Sequence, residues 1–123
     1  MKVLRQFLVF ALVTGFSVGS AQSHHSAAMF DASKEVAISG AVKEFQFTNP
    51  HAWLIVTVAD SDGAQTDWSV ELGAPTLIQG MGIKKSTFSP GDSVSVVLHP
   101  LKDGRPAGEF VSVTLSDGTV VGR

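Results

Sequence analysis

The chain has 123 residues, 44% of them hydrophobic, with no cysteine and a formal net charge of −2. That length supports one domain with one core, and the lack of cysteine excludes both disulfide staples and Cys-based metal clusters. A mildly acidic chain whose one adjacent basic pair is Lys84-Lys85 is ill suited to phosphate backbones, which excludes nucleic acid as an expected partner.

The first element is an export segment. Lys2 and Arg5 supply a positive start, and Phe7 to Val18 is apolar apart from Thr14, Gly15 and Ser17. Gly19-Ser20-Ala21 then places small residues at a cleavage point. The apolar run falls short of the roughly 18–20 residues that span a bilayer, so it reads as a removed signal and not as an anchor. The expected compartment is the periplasm or the medium, with cleavage near Ala21 or Ser23. Residues 1–21 are thus the signal, 22–35 an N-terminal arm containing His24 and His25, and 36–123 the folded domain.

Within the arm, residues 26–35 are weakly patterned and allow a short helical turn. From Val36 the pattern is β. Val36, Ile38 and Val42 open a first strand interrupted at Gly40, where a bend or bulge is expected. Asn49-Pro50 ends it with turn chemistry. His51 to Ala59 is a second strand rich in β-branched and aromatic residues. Asp62-Gly63 predicts a two-residue hairpin leading into a third strand over about Gln65–Leu72. The period then changes: Ala74 to Gly82 reads as one or two helical turns, with Pro75 at the start and glycines ending it. Ser89-Pro90-Gly91-Asp92 feeds a strand through Val94, Val96 and Leu98. A loop at Asp103-Gly104 leads to a strand in which Val111, Val113 and Leu115 share a face, and Asp117-Gly118 allows a terminal hairpin to Val120-Val121.

Three strands, a short helix, then two or three strands is the element order of an all-β, OB-like Greek-key barrel of five or six antiparallel strands. A plain antiparallel sandwich is the alternative architecture. With Asp62 and Gly63 as the two turn residues, Trp53 opposes Leu72, Ile55 opposes Val70 and Thr57 opposes Trp68. These six then form the inner face. Leu54, Val56 and Val58 consequently point outward, an apolar stripe that needs a cover. The arm, through Met29 and Phe30, is one candidate cover; a partner protein of the cell envelope is the other.

Several of these residues together form a recognisable pattern: His24-His25-Ser26 after a signal, Thr48-Asn49-Pro50-His51 with Trp53 two residues on, and Trp68 with Glu71-Leu72-Gly73. Pro90-Gly91-Asp92 and the closing Val113-Thr114-Leu115 with Asp117-Gly118 complete it. The pattern resembles a family of short exported proteobacterial proteins, domain of unknown function 6152. The resemblance covers essentially the whole mature chain. It implies a small periplasmic β-domain and brings no established activity. Gln22-Ser23 ahead of the histidines departs from the family pattern, in which Ala precedes them directly.

Chemistry concentrates at the histidines. Cleavage after Ala21 leaves Gln22-Ser23-His24, whose amine, two backbone amides and imidazole form a square-planar nitrogen set suited to Cu(II) or Ni(II). Cyclisation of Gln22 would remove it. Cleavage after Ser23 leaves His24 first, its amine and ring chelating copper, with His25 or His51 completing the set. The competing reading is a polar tail without a ligand. For His51, a metal role joins it to His24 and His25; the competing role is a ring satisfied by turn carbonyls of residues 47–49 and packed beside Trp53. His99 reads as an ordinary strand-end residue. Glu71 and Asp67 read as solvated carboxylates on the outer face of the third strand, and Trp53 and Trp68 as core residues more than a stacking platform. There is no Gly-x-Ser-x-Gly elbow, Cys nucleophile or His-Glu-x-x-His motif, so an enzyme is not expected, one using His51 with Glu71 least of all. The leading expectation is a small binding protein with copper or another divalent metal at His24, His25 and His51. The alternative is an interaction module docking through Leu54, Val56 and Val58.

Overall fold

Three Asp-Gly dipeptides set the geometry of the molecule, whose computed structural model describes residues 27–123. In each, the glycine takes a left-handed conformation: Gly63 at φ 87°, Gly104 at 81° and Gly118 at 87°. In each, the aspartate carboxylate accepts a hydrogen bond from the amide two residues on, at Ala64, Arg105 and Thr119. This is the local side-chain turn that favours Asp, followed by a position that only glycine occupies without strain.

The strands run β1 (Val36–Gln46), β2 (Trp53–Ala59), β3 (Gln65–Glu71), β4 (Ser93–Pro100), β5 (Ala107–Thr114) and β6 (Val120–Gly122), with helix α1 (Pro75–Gly80) between β3 and β4. They hydrogen-bond in the order β3-β2-β1-β4-β5-β6, and β3 also pairs with β5. The first five strands therefore close on themselves, with β6 as an added edge. The OB-like barrel expected from the element order is the fold observed. It is mixed and not wholly antiparallel, because the closing β3–β5 pair is parallel.

The β2–β3 register corrects the sequence reading. Asp60 N–H donates to Ala64 O and Gly63 N–H to Asp60 O, so the loop holds three residues, Ser61 to Gly63. A two-residue turn of the usual hairpin type needs positive φ at both central positions, and here only the glycine has it. One extra loop residue changes parity, and a parity change swaps the faces. Trp53 pairs with Glu71, Leu54 with Val70 and Val56 with Trp68. Leu54 and Val56 are fully buried, and Val58 packs against the same core. The stripe of Leu54, Val56 and Val58 is thus inner wall and not an exposed docking surface. Trp53, Ile55 and Thr57 face outward instead, half-buried.

Strand β1 turns across the barrel at its middle, pairing with β4 up to Ala41 and with β2 from Ala41 onward. A side chain at Gly40 would collide with the Thr57 carbonyl, so glycine is required there by close approach. The bulge itself lies further on, between Val42 and Glu44. Inward positions run Ile38, Val42 and then Phe45, Phe47. Lys43, at the bulge, donates to Asp67, which also accepts from Thr57 Oγ1 at 2.7 Å. The Lys43 ammonium and the Thr57 hydroxyl hold the Asp67 carboxyl below the usual carboxylate range. A second irregularity, between Val97 and Leu98 of β4, leaves Val111 without a partner on β5. Val113 is buried and Leu115 packs on the core, but Val111 does not share their face.

Helix α1 is too short to be stable alone and is fixed at both ends. Pro75 occupies its first turn, where a missing N–H costs nothing. At its end Ile83 N–H reaches Ile78 O and Gly82 N–H reaches Gln79 O, with Gly82 at φ 92°. That double closure buries Ile78 and Ile83 together. No helix of the described residues is long and apolar enough to cross a membrane.

The arm is docked. Phe30 is 7% exposed and bridges to Leu101. Asp31 N–H donates to Pro100 O at 2.8 Å, Lys102 N–H to Met29 O at 3.0 Å, and the His99 ring nitrogen Nδ1 meets Lys34 O at 2.7 Å. His99 therefore clamps the arm and does more than end a strand.

The inward register makes a direct prediction. Leu54→Ala removes a fully buried side chain and is expected to cost about 2–5 kcal/mol in chemical denaturation. A loss within about 0.5 kcal/mol, the ordinary effect of an exposed substitution, would contradict it.

Candidate functional site

The loop joining β1 to β2 contains the cis peptide Asn49-Pro50 and delivers His51 to the rim of the barrel. Thr48 Oγ1 donates to His51 O at 3.0 Å, pinning the backbone there. Just beyond, Ala52 N–H donates to Gly73 O and Leu72 N–H to Ala52 O, so the β2–β3 ladder continues past the ends of both strands. In that ladder His51 lies opposite Gly73 and diagonal to Glu71. Diagonal neighbours are within reach of long side chains, and Gly73 offers no side chain to block the approach.

His51 Nδ1 lies 2.7 Å from Glu71 Oε1. The Glu71 side chain is only 12% exposed, and the His51 ring 40%. Burial raises the Glu71 carboxyl above its ordinary value; His51 works against that rise, and Glu109 adds to it. Glu109 is nearby because the parallel seam pairs it with Glu71. The ring therefore bonds a carboxylate and not the turn carbonyls of residues 47–49. Glu71 is a covered, paired group and not a solvated one; Asp67, on the open part of the same strand, is exposed but engaged by Lys43 and Thr57.

The pair forms one wall of a hollow of about 230 Å³. Leu72, Leu77, Ile78, Met81 and Phe110 give it an apolar lining, and Ala27 and Phe30 of the arm complete it. A second hollow of about 280 Å³, bordered by Trp53 and Arg105, lies on the other side of Phe30 and Glu71. Trp53 is thus a surface residue beside a groove and not a core residue, whereas Trp68 does pack against the core.

His24 and His25 lie outside the described residues, so their place relative to His51 is fixed only by chain length. They precede Ala27 by three and two residues. At 3.3–3.6 Å per residue, their backbones stay within about 11 and 7 Å of Ala27. Ala27 borders the same hollow as His51. Among the described residues no three His, Cys, Asp or Glu side chains are grouped to hold a metal ion by themselves.

Sequence reasoning missed the partnership of His51 with Glu71 and the nearness of Glu109. The first was readable once the Asp62-Gly63 loop is counted as three residues. The second depends on barrel closure, which no local signal announces.

The pair is testable by a double-mutant cycle of His51→Ala and Glu71→Gln followed by denaturation. A coupling energy of about 1 kcal/mol is expected for a half-covered charge-assisted contact. Coupling indistinguishable from zero would show an ion pair no stronger than an ordinary surface one.

No curated protein and no solved structure matches the chain. A model described as a family of unknown function matches residues 12–110, which includes the barrel through most of β5. The chain belongs to that family, DUF6152.

Proposed function

We propose that the protein is a small exported binding protein which holds a divalent metal ion, Cu(II) foremost, through His24 and His25 of the arm with His51 of the barrel. Export with removal of residues 1–21 is part of the proposal and places the protein in the periplasm or outside the cell. The reading is carried by one observation: Ala27 and His51 border the same hollow. The arm's docking contacts fix where the chain leaves the barrel, and that point is beside His51. Two histidines on a short tether next to a third form a nitrogen-rich set of the kind that copper prefers. The described residues provide one imidazole and two carboxylates at this place, so the remaining nitrogens have to come from the arm. No group on the barrel resembles a catalytic nucleophile poised beside a base, and the proposed role is binding.

Cu(II) titration of the exported, trimmed protein tests this by calorimetry or visible absorption. One ion per chain is expected. The His24→Ala, His25→Ala double variant should lose that binding, and His51→Ala should weaken it about tenfold or more. Binding that survives the double variant at full strength would overturn the proposal.

A further inference from the structure

We infer that Glu71 is a positioning residue: it fixes the His51 ring through Nδ1 so that Nε2, the second ring nitrogen, is presented to the ion that the arm carries. This rests on the metal reading above, whereas the ring geometry it starts from stands without a metal.

An ionised carboxylate has lone pairs and no proton, so it can only accept. The 2.7 Å contact between His51 Nδ1 and Glu71 Oε1 therefore requires Nδ1 to carry the proton. In a neutral ring that leaves the lone pair on Nε2. Among the described residues Nε2 has no hydrogen-bond partner, so it is the nitrogen left for a ligand role. The carboxylate is well placed to enforce this state. It is 12% exposed, it sits on a strand locked by antiparallel pairing with β2 and parallel pairing with β5, and Gly73 clears the diagonal path to the ring. The backbone of His51 is held separately by Thr48. Ring and backbone are thus each constrained by a different group, and Glu71 alone sets the tautomer.

Carboxylate–imidazole–metal relays of this kind raise the basicity of the ligating nitrogen and reduce the freedom lost on binding. Glu109 is the internal control. It lines the same hollow and carries the same formal charge, but it makes no contact with the ring. If Glu71 acted only by drawing a cation toward the hollow, Glu109 would do the same work.

The test has two parts, both on the trimmed, full-length mature protein. First, long-range proton–nitrogen correlation NMR on histidine labelled with ¹⁵N, without metal, reads the tautomer of His51 directly. The Nδ1–H form is expected, and it should be lost in Glu71→Leu, which keeps bulk but removes the acceptor. Second, Cu(II) affinity should fall about 10–100-fold in Glu71→Leu. It should be largely retained in Glu71→Gln, whose amide oxygen still accepts, and in Glu109→Gln. An Nε2–H ring in a wild-type protein that binds copper overturns the inference alone. Equal losses in Glu71→Leu and Glu109→Gln also overturn it, in favour of simple charge attraction. An Nδ1–H ring in a protein that binds no copper overturns the metal reading, and with it the role given to Nε2.

Discussion

The parallel pairing of β3 with β5 is the constraint on which the rest of the molecule depends. It is short: Ser69 with Ala107, Val70 with Gly108 and Glu71 with Glu109. Without it the five strands would be an open sheet with two exposed edges, a state that invites pairing with other chains. Closing it requires the β5 backbone to press against β4. A side chain at Gly108 would lie 2.5 Å from the His99 carbonyl oxygen and from a methyl of Leu98, so the seam tolerates only glycine there. The same seam forces Glu71 and Glu109 alongside each other. Two neighbouring carboxylates, one of them covered, are unfavourable unless a positive group or a hydrogen-bond donor joins them. His51 is that donor.

The arm adds the second half of the site. Burying Phe30 contributes on the order of 1.5–3 kcal/mol, and the backbone bonds at Met29 and Asp31 with the His99 contact at Lys34 fix the direction of the chain. Phe30 also divides one hollow from the other, so the arm is a wall of the site as well as a strap. The protein has no disulfide to hold this strap in place. Packing and edge hydrogen bonds suffice because β4 and the loop after it present a ready backbone partner.

Much of the fold is legible in the residues. The β-branched runs, the glycine in the middle of β1, the Pro75-to-Gly82 helix and the turn glycines together give the barrel order. The faces of β2 are not legible from the hydrophobic pattern, because β2 is apolar on both sides: Leu54, Val56 and Val58 alternate with Trp53 and Ile55. With both faces apolar, only the length of the turn decides which one is inside, and Asp-Gly at the second and third loop positions resembles Asp-Gly at the first and second. Val111 fails for a related reason, since a bulge changes parity without a glycine to mark it. The histidine pair with Asn-Pro-His pointed to the right corner of the molecule. Its carboxylate partner was hidden by the same parity error that turned the β2 stripe outward.

The central claim is that the arm's histidines and the hollow beside the seam act as one place. Paramagnetic broadening measures this directly. With ¹⁵N-labelled mature protein and a small fraction of an equivalent of Cu(II), the account predicts selective loss of amide signals at His51, Glu71, Gly73 and Ala27 together with those of the arm. Loss confined to the residues before Ala27, with the signals around His51 intact, would separate the tether from the barrel and contradict it.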